Sequence, residues 1–403
     1  MNKRKILLFV LAGLLLLIIL GWVFFLFRGG ETSPTDNGTA LPTTTSRPGA
    51  SQPPRTTSTP VTFEKVSDKW ILAPRIQDNT ILGFDLADSK LKAYSLILKT
   101  SQEKPLSKTT FAGISAAAWS PTNTQVLFKY RDEKKRQTLL SIFDLRQSLN
   151  YALDGFTKEA AWSPDGTQLV IYKELPHKNS FYLATIKPDG SNEQKLIEVR
   201  VSAPNLLWTA SDTLVFYSKP VPQQATEKVF TYSLKNKILA EMHIPIYRSS
   251  PAQGISGLTL LASPDGKRFL VTYSSDDNRA LFSAVYDTEK EIDPSKEQTA
   301  DLALIKLPFS TLTSKCAWAT NGENLYCAYF SSLPEGNYLW PFAYWMGKVS
   351  PQDSFARFNW KTGELKTYSE NTPYDAEGLD LAKNESFLTF INRKDLNLYR
   401  LKF

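Results

Sequence analysis

Histidine and cysteine are the scarcest reactive residues in this 403-residue chain, at two each. His177 and His243 lie far apart, with no metal-ligand spacing and no cysteine neighbour, which sets aside the common zinc arrangements. They read as surface-loop residues. No G-x-S-x-G string occurs; Gly254-Ile255-Ser256-Gly257 has the wrong spacing for a nucleophile elbow. A glycine-rich phosphate loop is also missing. Asp165, Asp189 and Asp265 each precede a glycine, so turn geometry accounts for them. Asp276 and Asp277 are adjacent, and two neighbouring acids make a poor calcium cage. No metal and no cofactor is expected. Charge excess is missing where it would matter. The net charge is +7, but Lys3, Arg4, Lys5, Arg28, Arg47 and Arg55 against Glu31 and Asp36 supply +4 of it, leaving +3 for residues 61–403. That gives no reason to expect nucleic acid as a partner.

One long hydrophobic run is present. Residues 6–27, ILLFVLAGLLLLIILGWVFFLF, are 22 residues without a charge. As a helix they would be about 33 Å long, enough to span a bilayer core. Lys3, Arg4 and Lys5 precede the run and only Arg28 follows closely. The positive-inside rule then places residues 1–5 in the cytoplasm and the chain from residue 29 outside. Trp22 suits the outer interface. The run exceeds the h-region of a cleaved signal peptide, and no small-x-small site follows it closely. No cysteine follows it either, so a lipoprotein anchor is unsupported. A single-pass anchor in the cytoplasmic membrane, with the globular part on the extracytoplasmic side, is the expectation. Residues 29–60 are dominated by Pro, Ser and Thr, with Leu41 the only large apolar side chain. Such a segment reads as a disordered tether.

From residue 61 short β-rich runs alternate with turn signals, and a repeat emerges. WSPDGTQLVIYK at 162–173 is the clearest unit. WSPTNTQVLFKY at 119–130, WTASDTLVFYSK at 208–219 and WATNGENLYCAY at 318–329 align with it without a gap. ASPDGKRFLVTY at 262–273 and DLAKNESFLTFI at 380–391 are weaker copies. The intervals are 43, 46, 54, 56 and 62 residues, the scale of a four-stranded propeller blade. In SPDG, Pro164 sets φ, Asp165 tolerates the next position and Gly166 takes the left-handed one; Pro264, Asp265 and Gly266 repeat this. Trp162 precedes the turn, at the end of the innermost strand, where it can pack between blades. Residues 69–98 fit an opening blade without the turn, which makes seven. Six remains the alternative if 61–98 folds differently. The last repeat lacks a fourth strand, and residues 61–66 can supply it and close the ring. The fold class is therefore all-β: a β-propeller over 61–403, behind an anchor at 1–28 and a linker at 29–60.

The repeats resemble the WD40-like propeller repeat of the Tol-associated periplasmic propeller and of the N-terminal propellers of prolyl oligopeptidase-type peptidases. Trp162, Ser163, Pro164, Asp165 and Gly166 carry the resemblance, with Ser263 to Gly266 as the second full match. It implies the propeller fold and leaves function open. The Tol-associated protein has an extra α/β domain and no membrane anchor, so the chain departs from it on both points. The arrangement is also similar to membrane-anchored propellers of environmental bacteria, on KCAW…LYCAY at 315–329 and FINRKDLNLYRL at 390–401. That likeness implies no activity.

Two function classes follow. The first is a non-enzymatic protein-binding or scaffold module of the cell envelope. The second is a hydrolase or lyase using the central funnel, which could also take a small ligand. Funnel enzymes gather acids and histidines at the mouths of several blades, and this sequence supplies no such recurrence, which favours binding. The candidate partner surface is the insertion 331–352, where Tyr338, Trp340, Phe342, Tyr344, Trp345 and Met346 fall within nine residues. The long connection at 242–257, with Tyr247 and Arg248, is expected on the same face. The competing expectation is that the insertion folds back as a lid or packs on its own blade. Cys316 and Cys327 flank the turn at Asn321-Gly322. A two-residue Asn-Gly hairpin would set them opposite, able to bridge. A bulged SPDG-type turn would instead face 316 with 326. Compartment favours the bridge and the ungapped repeat disfavours it; a disulfide is the expectation.

Overall fold

The structure is a computed structural model. It describes residues 56–403 apart from 60, 79, 96–102, 176–179, 203, 210–211, 222–227, 247–254, 276, 278, 291–302, 335, 337 and 369–372. The segments 1–28 and 29–55, which hold the expected anchor and most of the linker, lie outside the described residues. Among the described residues no helix is long and apolar enough to cross a membrane.

Seven sheets form the propeller. The first blade runs from Ile71–Gln77 through Thr80–Asp85 and Lys90–Ser95 to Glu103–Pro105. The next four follow the same antiparallel four-strand order and start on Ile114–Trp119, Thr157–Trp162, Pro204–Trp208 and Thr259–Ala262. Blade six starts on Cys316–Trp318 and blade seven on Ala376–Leu381. Neighbouring blades pack through apolar side chains. Phe84, Phe111, Phe128 and Phe143 form one such layer, and Val170, Tyr172, Leu183, Leu214 and Phe216 another.

Turn chemistry sets the blade. In blade three the Gly166 amide donates to Ser163 O at 2.9 Å and the Ser163 amide to Gln168 O at 2.9 Å, with Gly166 at φ 71°. The same bonds recur at Ser263 and Gly266, and at Ala319 and Gly322. The Trp at the strand end reaches sideways. Trp162 Nε1 donates to Ala118 O at 3.0 Å, Trp119 to Ala73 O at 2.8 Å and Trp318 to Leu261 O at 3.1 Å, each in the preceding blade.

Blade seven is completed from the other end of the chain. Thr62–Ser67 pairs antiparallel with Asn397–Lys402, so the ring closes on itself. Thr56–Thr59 adds a fifth, parallel strand to blade six, beside Leu365–Tyr368. This corrects the reading of 29–60 as tether throughout. Threonine suits a strand, and edge pairing needs only backbone groups.

The strand order gives the propeller two unlike faces. A loop face carries the connections between blades and those between second and third strands. A turn face carries the SPDG-type turns and the connections between third and fourth strands.

Candidate functional site

The insertion between Asn324–Phe330 and Asp353–Asn359 in blade six is on the loop face. It holds the helical turn Phe342–Trp345, the one α-helix of the described residues that spans a full turn. The insertion is folded down as a lid. Trp340, at 2% exposure, and Tyr344, at 0%, pack with Leu281, Leu312, Phe330, Ala343 and Val349. Three flanks pin it. The Ser274 hydroxyl of blade five donates to the Trp340 carbonyl. Pro341 lies so close to Gly257 that a Cβ there would stand 2.4 Å from its Cδ. Arg393 of blade seven donates to Tyr344 O at 3.2 Å, and its guanidinium carbon is 4.0 Å from the Tyr344 ring centroid.

Under the lid lies a buried charge cluster. Lys315 precedes the first strand of blade six, Asp353 opens its third strand, and Asp375 precedes the first strand of blade seven. All three side chains are at 0% exposure. Lys315 Nζ donates to Asp353 Oδ2 at 2.6 Å, Asp375 Oδ1 at 2.8 Å and Ala376 O at 2.8 Å. Its ammonium also stands 4.7 Å from the Tyr344 ring centroid and 5.1 Å from that of Phe330. The Tyr344 hydroxyl donates to Asp375 Oδ1 at 3.0 Å and Ser350 to Asp375 Oδ2 at 2.8 Å, tying the lid to the cluster. Asp353 Oδ1 is buried and accepts no hydrogen bond. Burial pushes the Asp353 carboxyl up to about 6 against the opposing pull of Lys315. Burial, then the charges of Glu377 and Asp375, keep the Tyr344 hydroxyl un-ionised well above its ordinary range. Chemically, this is a clasp that couples lid, blade six and blade seven, with one carboxyl poised to take up a proton.

The structure divides the six aromatic and Met candidates of the insertion. Trp340, Phe342 and Tyr344 are core, which corrects their reading as docking side chains: they fill the space between lid and blades. Tyr338 is half-buried and packs against the same cluster. Trp345 at 38% and Met346 at 54% remain exposed, as does Leu339. Trp345 is braced edge-on by Phe342, ring centroids 5.5 Å apart. Tyr247 and Arg248 lie outside the described residues, so their place beside the lid is not described. Eight of the eleven large apolar side chains that are exposed among the described residues lie in or beside loop-face connections: Trp70, Phe156, Val221, Phe282, Leu396 and the lid's three.

Cys316 and Cys327 face each other across the first two strands of blade six, Cα atoms 4.2 Å apart, and are joined in a disulfide. The supposed conflict with the repeat dissolves. The SPDG turn sets Trp162 opposite Leu169 and Ala160 opposite Ile171, and the same register sets 316 opposite 327. Trp162 and the residues Pro164, Asp165, Gly166, Pro264, Asp265 and Gly266 form the turns of blades three and five. Asp165 accepts from Ser163 and Thr167 and Asp265 from Ser263 and Lys267, all structural roles.

Sequence reasoning missed the clasp. Its acids stand 38 and 60 residues from Lys315, and no spacing rule joins them. Three further ion pairs near the inner strands were also illegible. Arg75 meets Asp380 at 3.0 Å, and Glu159 meets both Lys129, at 2.8 Å, and Lys219. The acids Asp85, Asp88 and Glu103 converge in blade one, but the Lys92 ammonium sits among them, bonded to Asp85 and Glu103 at 2.8 Å.

No protein-family model and no curated relative matches this sequence. Solved structures do match. Oligogalacturonate lyase from Vibrio parahaemolyticus superposes with a TM-score of 0.55 at 11% identity, over 85% of this chain and 97% of that one. The Swd1 propeller domain from Myceliophteria thermophila gives 0.52 at 11% identity, over 85% and 100%. Tricorn protease gives 0.51 at 9% identity over 83% of this chain, which spans only 33% of the protease. At such identities the likeness concerns the fold alone. On topology and superposition together, the described residues of 56–403 form a seven-bladed β-propeller.

Proposed function

We propose that this chain is a non-enzymatic docking module of the cell envelope, held at the cytoplasmic membrane by residues 6–27 with its propeller on the extracytoplasmic side. One observation carries the docking part. Leu339, Trp345 and Met346 stay exposed on a lid whose neighbouring rings are locked in the core. Large apolar side chains on a rigid support lose little entropy when a partner covers them, the usual property of binding hot spots. The membrane part is supported by the uncharged run and the cations before it.

The test uses the full chain in its own membrane. Trp345→Ser combined with Met346→Ser should leave the melting temperature unchanged and abolish stoichiometric recovery of a partner from solubilised membranes. Recovery of the same partner by the double variant would remove the ridge as the docking site. Topology is tested separately: protease added to intact spheroplasts should digest a tag at Phe403, and protection of that tag would overturn the assignment.

A further inference from the structure

We infer that the lid ridge receives an acidic segment of a partner protein, one that pairs carboxylates with an apolar anchor. This rests on the docking reading above and adds the partner's chemistry. Two cations beside the ridge are unpaired among the described residues, while the described carboxylates around them are engaged. Lys348, two residues beyond Met346, and Lys394, next to Arg393, are exposed and form no ion pair among the described residues. The turn carrying Lys394 abuts the lid through the Arg393 bond to Tyr344 O and contributes the exposed Leu396. Among the described residues the nearby acids are already engaged. Asp353 and Asp375 hold Lys315, Glu377 stands 3.3 Å from Arg393, and Asp395 accepts from Tyr399 at 2.7 Å and Asn397 at 3.0 Å.

The local bias belongs to a wider one. In the described connections of the loop face, Lys and Arg outnumber Asp and Glu roughly two to one, with Lys134, Lys135, Arg136 and Arg200 also outside any ion pair among the described residues. On the turn face carboxylates are slightly ahead. Apolar exposure follows the same polarity. A second copy of this face would meet it with like charge, which disfavours self-association through the ridge. An acidic segment gains at every contact: carboxylates over Lys348 and Lys394, an apolar side chain over Trp345 and Met346.

The experiment places a photo-crosslinking residue at position 345 of the full chain in its own membrane, Trp345→benzoylphenylalanine, with Ile238→benzoylphenylalanine on the turn face as control. Adducts are mapped by mass spectrometry. The expected adduct from position 345 lies in a segment with Asp and Glu in excess. Its yield should fall about tenfold with Lys348→Glu combined with Lys394→Glu, and should fall with added salt. Both lysines are exposed, and an unchanged melting temperature confirms that the variant folds. An adduct to lipid, an adduct to a neutral or basic segment, or a yield indifferent to charge reversal overturns the acidic partner while leaving a docking surface in place. No adduct from position 345 above the turn-face control removes the docking reading itself.

Discussion

At Lys315 the chain puts an ammonium where no water reaches it, and the neighbours explain why that is tolerated. Two carboxylates and a carbonyl take its three protons, and two aromatic faces cover the rest. Removing one partner of a buried pair costs more than the pair is worth, because the other charge stays behind. Lys315→Met should therefore destabilise the propeller by about 3–5 kcal/mol in urea unfolding at neutral pH. A loss under about 1 kcal/mol would mean the acids find other partners. Asp353 adds a pH dependence. Its carboxyl titrates at 3.8 ordinarily and at about 6 in the fold, so the native state holds this proton more tightly than the unfolded chain. The stabilisation is fully present below the ordinary value and is lost as pH rises through about 6. Asp353→Asn removes that titration, so wild-type stability should decline relative to the variant from about pH 4 to about pH 7. Parallel curves would refute the shift. None of this was legible in the sequence, since Lys315 looks like any lysine before a strand. Its burial depends on a 22-residue insertion closing over residues from two blades.

The lid shows what a sequence can say about an element and where it stops. An aromatic cluster inside a propeller loop wants a cause, and composition alone located it. Which rings turn inward was not readable, because residues 340–344 follow no strand alternation and the helical turn spans only four residues. The choice is made by what lies beneath: Phe330, Leu312 and Leu281, supplied by blades five and six. That choice has a measurable consequence. Trp340→Ser should lower stability by about 3–5 kcal/mol, as for other buried large-to-small changes, whereas Trp345→Ser should stay within about 0.5 kcal/mol. Equal losses in thermal or urea unfolding would place Trp345 in the core as well and withdraw the ridge. The disulfide teaches the converse. Its register was fixed by the repeat already written at 160–171. The SPDG turn does not offset its strands by one residue: with Gly166 left-handed, Trp162 stands opposite Leu169 and Ala160 opposite Ile171.

Seven blades could be counted because the turn is locally encoded: Pro, Asp and Gly fix it wherever the strands end up. The first blade lacks that signal, and its place rests on Trp119 reaching back to Ala73. Closure is different in kind, since it joins residues 62–67 to 397–402 with the whole ring between them. It was legible only as an edge strand left over at each end of the count. Several interactions now hold it. Phe63 stacks on Tyr374 with ring centroids 5.0 Å apart and meets Phe355 at 5.3 Å edge-on. Glu64 takes Arg400 and, at 2.6 Å, Lys402, and those cations hold its carboxyl below the ordinary range. Those ion pairs are partly solvated and are worth little beside the aromatic layer. The strand's larger service is to cover the backbone of Asn397–Lys402, which would otherwise present unpaired donors and acceptors to another chain. Phe63 is half-buried, so Phe63→Ala should cost about 2–3 kcal/mol, while Glu64→Gln should cost under about 1 kcal/mol. Removing residues 54–68 from the 54–403 fragment should convert a monomer with one cooperative transition into a species that aggregates or melts broadly. A 69–403 fragment that stays monomeric by light scattering and unfolds as sharply as its parent would show that the ring holds without its closing strand.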